Sequence, residues 1–284
     1  MATTISHQTA PTEHVEAQGV TFAYRRFGRP GAAPLVCLQH FRGNIDNWDP
    51  AFTDGLAQER EVVLVDPPGV GGSTGAPQHT VAEMAGSILA FLDALGLRQL
   101  DLLGFSLGGF VAQDLALLRP WAIRRLVLVG TGPRGGPGMH GWRADIQASS
   151  RHDAGTGEDI LYIFFAHTET SQAKGKAFLG RVFARTEDRD PTPAVPVREA
   201  QYDAVLEWGI PDHAALQRLG GITCPTLILQ GDGDLMIPTP ASHLMAGLIP
   251  DASIKIYPDA AHASIFQYPV EAAHDVNAFL GRPG

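Results

Sequence analysis

Four stretches of the chain are apolar almost without interruption: PLVCLQ (34–39), REVVLVD (60–66), QLDLLGF (99–105) and IRRLVLVG (123–130). Successive side chains of a strand point to opposite faces, so unbroken apolar runs predict strands covered on both sides. HVEAQGVTFAYRRFG (14–28) alternates instead and predicts two strands turning at Gly19. Residues 1 to about 12 are polar and are expected to be mobile. Helical patterns lie between the runs: Trp48 to Leu56, TVAEMAGSILAFLDALGL (80–97) opening on a Thr80 cap with Glu83 three residues on, and the segment after Ser106. Strand alternating with helix demands parallel strands joined by right-handed crossovers, hence a doubly wound, mostly parallel α/β sheet.

After Thr131 the alternation stops for about eighty residues. Glycine and proline (GPRGGPGMHG, 132–141) give way to helical stretches around 142–152, 158–167 and 171–185, then to the loop EDRDPTPAVPV (187–197). This segment is expected to be a helical cap inserted into the α/β domain. The core pattern resumes at CPTLILQGDGD (224–234), followed by helix 240–249, strand 253–258 and a closing helix from about Ala263 to Leu280. The expected division is therefore 1–132 and 221–284 for the core and 133–220 for the cap.

With 284 residues, 44% of them hydrophobic, the chain is long enough for one large core. A net charge of −9 and the absence of a Lys/Arg block argue against nucleic acid or an anionic membrane surface as partner. The first residues lack the basic and apolar parts of a signal peptide, and no stretch reaches the ~18 apolar residues of a membrane span. A cytoplasmic protein is expected. Cys37 and Cys224 sit in or beside predicted buried strands and read as core residues, so neither a disulfide nor a metal site is expected. A homodimer through a sheet edge or the cap is compatible with the chain.

Chemistry enters at LLGFSLGGFVAQ (102–113), where a buried strand passes at once into a helix. So tight a reversal tolerates only glycine around it, here Gly104, Gly108 and Gly109, and lifts Ser106 to the tip beside the amides of a helix N-terminus. This is a G-x-S-x-G nucleophile elbow. A serine hydroxyl needs a base within reach, and the base needs a group fixing its tautomer. In a doubly wound sheet such groups follow the strands. Of the eleven histidines, His262 follows the last strand and precedes the last helix, which makes it the candidate base. His243 and His274 fall within helices; His140, His152 and His167 belong to the cap and read as surface residues. GDGDLMIP offers Asp234 as the acid, further past its strand than Asp232, which suits bonding to turn amides. An oxyanion would need two amide donors, one from Leu107 and one from LQHFRGNIDNW (38–48).

Taken together, these residues resemble the α/β-hydrolases, in particular serine hydrolases of an esterase or haloperoxidase-like branch with a helical cap, over nearly the whole chain. Ser106, Asp234 and His262 resemble the family's catalytic serine, aspartate and histidine. VDPPGVGGSTG (65–75) resembles its D-x-x-G-x-G-x-S loop through Asp66, Gly69, Gly71 and Ser73. The family usually carries His-Gly-x at the oxyanion loop. Here Gln39 and His40 replace His-Gly if the spacing to Trp48 is kept, which implies Phe41 as the donor; matching His40 to the family's histidine would imply Arg42. Relatives that are dehalogenases and epoxide hydrolases place Asp at the elbow, and Ser106 excludes both.

The expectation is a cofactor-independent, metal-free enzyme that attacks the carbonyl of a small to medium apolar ester or lactone through an acyl-enzyme. C–C bond hydrolysis and perhydrolase or haloperoxidase-like chemistry are alternatives within the class, and a non-catalytic ligand-binding receptor is an alternative outside it. Candidate pocket residues are His40, Arg42, Leu161, Phe164 and Phe165, with Ile163, Trp142 and Trp208 beside them. Arg42 suits either a substrate carboxylate or solvent, and the ILYIFF stripe (160–165) equally suits the cap's own core.

Overall fold

The computed structural model describes residues 6–31 and 33–283. Eight strands form one sheet: β1 (Glu13–Ala17), β2 (Val20–Gly28), β3 (Leu35–Leu38), β4 (Glu61–Val65), β5 (Leu100–Phe105), β6 (Ile123–Val129), β7 (Thr226–Gly231) and β8 (Ala252–Tyr257). Their order is β1-β2-β4-β3-β5-β6-β7-β8. β1 pairs antiparallel with β2, and β2 with β4; every other pairing is parallel. The β1–β2 connection is two residues long, and both Gln18 and Gly19 have positive φ, the backbone twist a tight hairpin requires. β3, β5 and β7 are buried at every position, as their unbroken apolar runs require.

Helices flank the sheet. α1 (Pro50–Ala57), capped by Asp49, packs on the C-terminal helix α11 (Pro269–Leu280), while α2 (Val81–Ala94) packs on α3 (Leu107–Leu118). Thr80 and Glu83 make the reciprocal capping box at the start of α2. α9 (Pro240–Leu248) lies against β7 and β8. The closing helix is two pieces, α10 (Ser264–Gln267) and α11, because Pro269 has no amide to continue the ladder and restricts Tyr268 before it.

Between β6 and β7 lie α4 (Ala144–Ser150), α5 (Gly157–Phe164), α6 (Glu169–Val182), α7 (Val195–Gly209) and α8 (His213–Gln217). α7 takes in the end of the segment read above as loop: Pro196 occupies its first turn, and Val197, Ala200, Ala204, Val205 and Trp208 form its buried stripe. An aromatic cluster joins this region to the sheet. Phe178 of α6 stacks on Phe266 at 4.7 Å between centroids, and Phe266 meets Trp48 and Phe105.

The expectation of a mobile start needs correction for the described part, since residues 1–5 lie outside it. Arg185 donates to the carbonyls of His7, Gln8 and Ala10, and the His7 amide donates to Asp54. His7 and Ala10 are buried as a result. Among the described residues, no helix is long and apolar enough to cross a membrane. Cys37 and Cys224 are buried free thiols, and burial pushes the Cys224 thiol up to about 11.

Candidate active site

Ser106 stands between the end of β5 and the start of α3 with φ 55° and ψ −117°. A non-glycine residue held there stores roughly 1–3 kcal/mol of strain. Neighbours impose the conformation: the Ser106 amide donates to the Val129 carbonyl at 2.9 Å, and Thr131 Oγ1 donates to the Ser106 carbonyl at 2.8 Å. The flanking glycines permit it. A Cβ on Gly104 would overlap the Gly108 backbone, and one on Gly108 would overlap the Leu38 carbonyl.

The loops after β7 and β8 bring the partners. Asp234 Oδ1 accepts from the amides of Met236 and Ile237 at 2.8 and 2.9 Å, and its Oδ2 accepts from Gln230 Nε2 at 3.1 Å. The same Oδ2 lies 2.8 Å from His262 Nδ1, and His262 Nε2 lies 2.8 Å from Ser106 Oγ. A carboxylate only accepts, so Nδ1 carries the imidazole proton and Nε2 turns its lone pair to the hydroxyl. The His262 and Asp234 side chains are fully shielded from solvent. Asp232 instead accepts from the amides of Asp259 and Ala260.

Two backbone amides, near the elbow and in the loop after β3, lack a partner among the described residues. Leu107 is the first residue of α3, so no intrahelical carbonyl faces its N–H. In the loop after β3, the His40 carbonyl accepts from the Gly43 amide at 2.9 Å. In a trans peptide this turns the Phe41 N–H the opposite way. The next amide is engaged: Arg42, at φ 59°, donates to Gln201 Oε1 at 2.6 Å. His40 Nδ1 donates to the Phe41 carbonyl at 2.8 Å, so the Phe41–Arg42 peptide is held at both ends. Phe41, not Arg42, therefore has the amide free for an oxyanion.

The glycine-rich loop supports this arrangement from behind. Asp66 accepts from the amides of Ile45 and Gly72 at 2.9 and 3.0 Å, and Ser73 Oγ bridges the Asp66 carbonyl and the Ala23 amide. Burial, with the charge of Asp190 nearby, holds the Asp66 carboxyl well above its usual range. Asp190 is itself raised to about 6 by burial and by Asp46.

A cavity of ≈ 220 Å³ opens on Ser106 and His262. Its apolar wall includes Ile160, Ile163, Phe164 and Met236, and His40, Phe41 and Arg42 lie on the loop side. Leu161 and Phe165 are placed elsewhere: both pack over Gly175 of α6, where a Cβ would press on them. These two residues of the ILYIFF stripe thus serve the inserted helices' own packing. The Arg42 guanidinium is occupied as well, donating to the carbonyls of Ser150, His152 and Asp153. Trp142 packs edge-on against Phe41 at 5.0 Å, while Trp208 stacks on Phe110. Among the described residues no group of three His, Cys, Asp or Glu side chains is arranged to hold a metal.

Sequence comparison agrees with the geometry: the family model for the alpha/beta hydrolase fold matches residues 33–269. The chain belongs to the α/β-hydrolase fold family. It is similar to an alpha/beta hydrolase fold protein from Chitinophaga pinensis, with 40% identity, a TM-score of 0.92, and 98% of this chain and 100% of that one covered. It is 28% identical to a dihydrolipoyllysine-residue acetyltransferase component of an acetoin cleaving system from Cupriavidus necator, over 95% of this chain and 68% of the relative. It is also 28% identical to a pimeloyl-[acyl-carrier protein] methyl ester esterase from Proteus mirabilis, over 85% of this chain and 90% of the relative.

Proposed function

We propose that this α/β-hydrolase is a serine hydrolase acting on the carbonyl of a small to medium apolar ester or lactone through an acyl-enzyme. One observation carries the reading: the unbroken chain Asp234 Oδ2, His262 Nδ1, His262 Nε2, Ser106 Oγ, with 2.8 Å at both of its links. In the proposed reaction Ser106 Oγ attacks the carbonyl carbon and its proton passes to His262 Nε2. Asp234 stabilises the imidazolium, and the amides of Phe41 and Leu107 receive the oxyanion, each donor contributing about 3–4 kcal/mol. His262 then protonates the leaving alcohol; water, deprotonated by His262, attacks the acyl-enzyme, and His262 returns that proton to Ser106 Oγ as the acid leaves.

The size of the cavity and its Ile160, Ile163, Phe164 and Met236 wall support a small to medium apolar substrate. The similarity to a methyl ester esterase supports an ester. Buried free thiols support a cytoplasmic enzyme. A fluorophosphonate probe tests the nucleophile. Wild type is expected to be labelled and Ser106→Ala not, with loss of hydrolysis of short-chain 4-nitrophenyl esters in that variant. Folded wild type that neither reacts with the probe nor turns over esters would reduce the scaffold to a ligand-binding receptor.

A further inference from the structure

His40 occupies the place beside the oxyanion amide where the family usually has glycine, and it brings an imidazole into the cavity that Ser106 and His262 share. Its ring makes edge-on contacts with Phe164 at 4.9 Å and Phe105 at 5.2 Å, and both phenyl rings also touch His262. Nδ1 faces the Phe41 carbonyl at 2.8 Å, and a carbonyl only accepts, so the proton sits on Nδ1. Burial presses the imidazole down to about 3, so the ring carries that single proton at neutral pH. Nε2 therefore presents a bare lone pair. It makes no hydrogen bond among the described residues, and it is not sealed away as a buried partnerless atom.

We infer that His40 is a specificity-determining residue whose Nε2 accepts a hydrogen bond from a hydroxyl or N–H carried by the acyl group next to the scissile carbonyl. The inference rests on the serine-hydrolase reading and narrows its substrate class. The proton of Ser106 already has His262 as its acceptor, which leaves His40 no part in activating the nucleophile. The cations on the wall are in part already paired with backbone carbonyls. Arg42 and Arg189 line the cavity; carbonyls of Ser150, His152 and Asp153 accept from Nη1 and Nη2 of Arg42, and those of Val182 and Arg185 accept from Nη1 of Arg189, whose guanidinium lies over the Phe183 ring. Asp190 Oδ2 is sealed from the cavity and faces Arg25 Nη2 at 3.7 Å, so it takes no part in this selection. His40 Nε2 selects donor-bearing acyl groups, because an acceptor stripped of water and left unpaired disfavours the analogue lacking the donor.

The test compares two esters of one shape, 4-nitrophenyl 2-hydroxybutanoate and 4-nitrophenyl 2-methylbutanoate, in wild type, His40→Phe and His40→Gln. The ratio of their kcat/KM values, divided by the ratio of their rates with hydroxide, removes intrinsic reactivity and any general loosening of the loop. Wild type is expected to favour the hydroxy ester by about tenfold or more, His40→Phe to lose that preference, and His40→Gln, which keeps an acceptor oxygen, to recover part of it. An equal ratio in wild type and His40→Phe overturns the inference. Should His40→Phe not fold, the wild-type Nε2 nitrogen resonance decides: it is expected to move with a 1-hydroxyalkyl phosphonate adduct on Ser106 and not with the matched alkyl adduct, and identical positions overturn the inference. Wild type that hydrolyses neither ester and resists fluorophosphonate removes the proposed function, and this inference with it. Labelling and hydrolysis with no preference removes this inference alone.

Discussion

The backbone amide of Arg42 donates to Gln201 Oε1 at 2.6 Å, fastening the loop after β3 to helix α7 across 159 residues of chain. The neighbouring amide, that of Phe41, is the proposed oxyanion donor, so Gln201 acts on the reaction through the loop and not through substrate. Gln201→Leu is expected to lower kcat about tenfold with little change in KM, and Gln201→Glu, which keeps an acceptor, to restore most of it. Steady-state kinetics checks this, and unaltered kcat in Gln201→Leu would make the bond a packing detail.

Asp234→Asn removes the acceptor that keeps the His262 proton on Nδ1. The imidazole is then free to turn its N–H toward Ser106, where it is useless as a base. A loss of about 10⁴ in acylation rate is expected, comparable to that of His262→Ala, with thermal stability changed far less than activity. Stopped-flow release of 4-nitrophenol measures the step.

Ser106→Gly should separate strain from function. At φ 55° and ψ −117° a glycine carries no Cβ penalty, so the variant is expected to be inactive yet about 1 kcal/mol more stable to urea than wild type. Lower stability would mean that the Ser106 hydroxyl holds the elbow together.

His7 supplies a pH prediction. Burial, reinforced by Arg25, presses its imidazole from 6.5 to about 3, while Nδ1 bonds Thr53 Oγ1 at 2.9 Å. The unfolded chain therefore takes up a proton at His7 below pH ~6.5 that the folded chain refuses until about 3, and stability falls through that window as the solution is acidified. His40, pressed down to the same level, adds a second proton of the same sign. Asp190, raised to about 6, works in the opposite sense between about 4 and 6. Urea titrations from pH 7 to 4 are expected to show the stability slope of His7→Gln lowered by about one proton, or roughly 1.4 kcal/mol per pH unit, relative to wild type. Identical slopes would rule out the buried neutral His7.

The sheet was legible because buried parallel strands have no choice but to be apolar on both faces, and the elbow because only glycine fits around Ser106. The places of Asp234 and His262 followed from strand ends, since a doubly wound sheet gathers such loops on one edge. The α7 helix was harder. Its buried stripe includes Arg198 and Gln201 among the apolar residues, so its start merged with the proline-rich loop before it, although Pro196 in the first turn was the available signal. Leu161 and Phe165 share the composition of Ile160, Ile163 and Phe164, and only the position of Gly175 on α6 decides which of them turn away from the cavity. Long-range polar links, such as Arg42 to Ser150 or Arg185 to Gln8, leave no local pattern at all.

The ties that hold the inserted helices have a bearing on traffic. Arg42 grips the segment after α4, Arg181 forms a two-pronged ion pair with Asp49, and Arg185 clasps the start of the chain. Anchored at several points, the helical layer is ill suited to swing away as one piece. Residues lining the cavity that reach solvent are on short connecting stretches of that layer, among them Gly155 after α4 and Phe183 after α6, with Phe183 55% exposed.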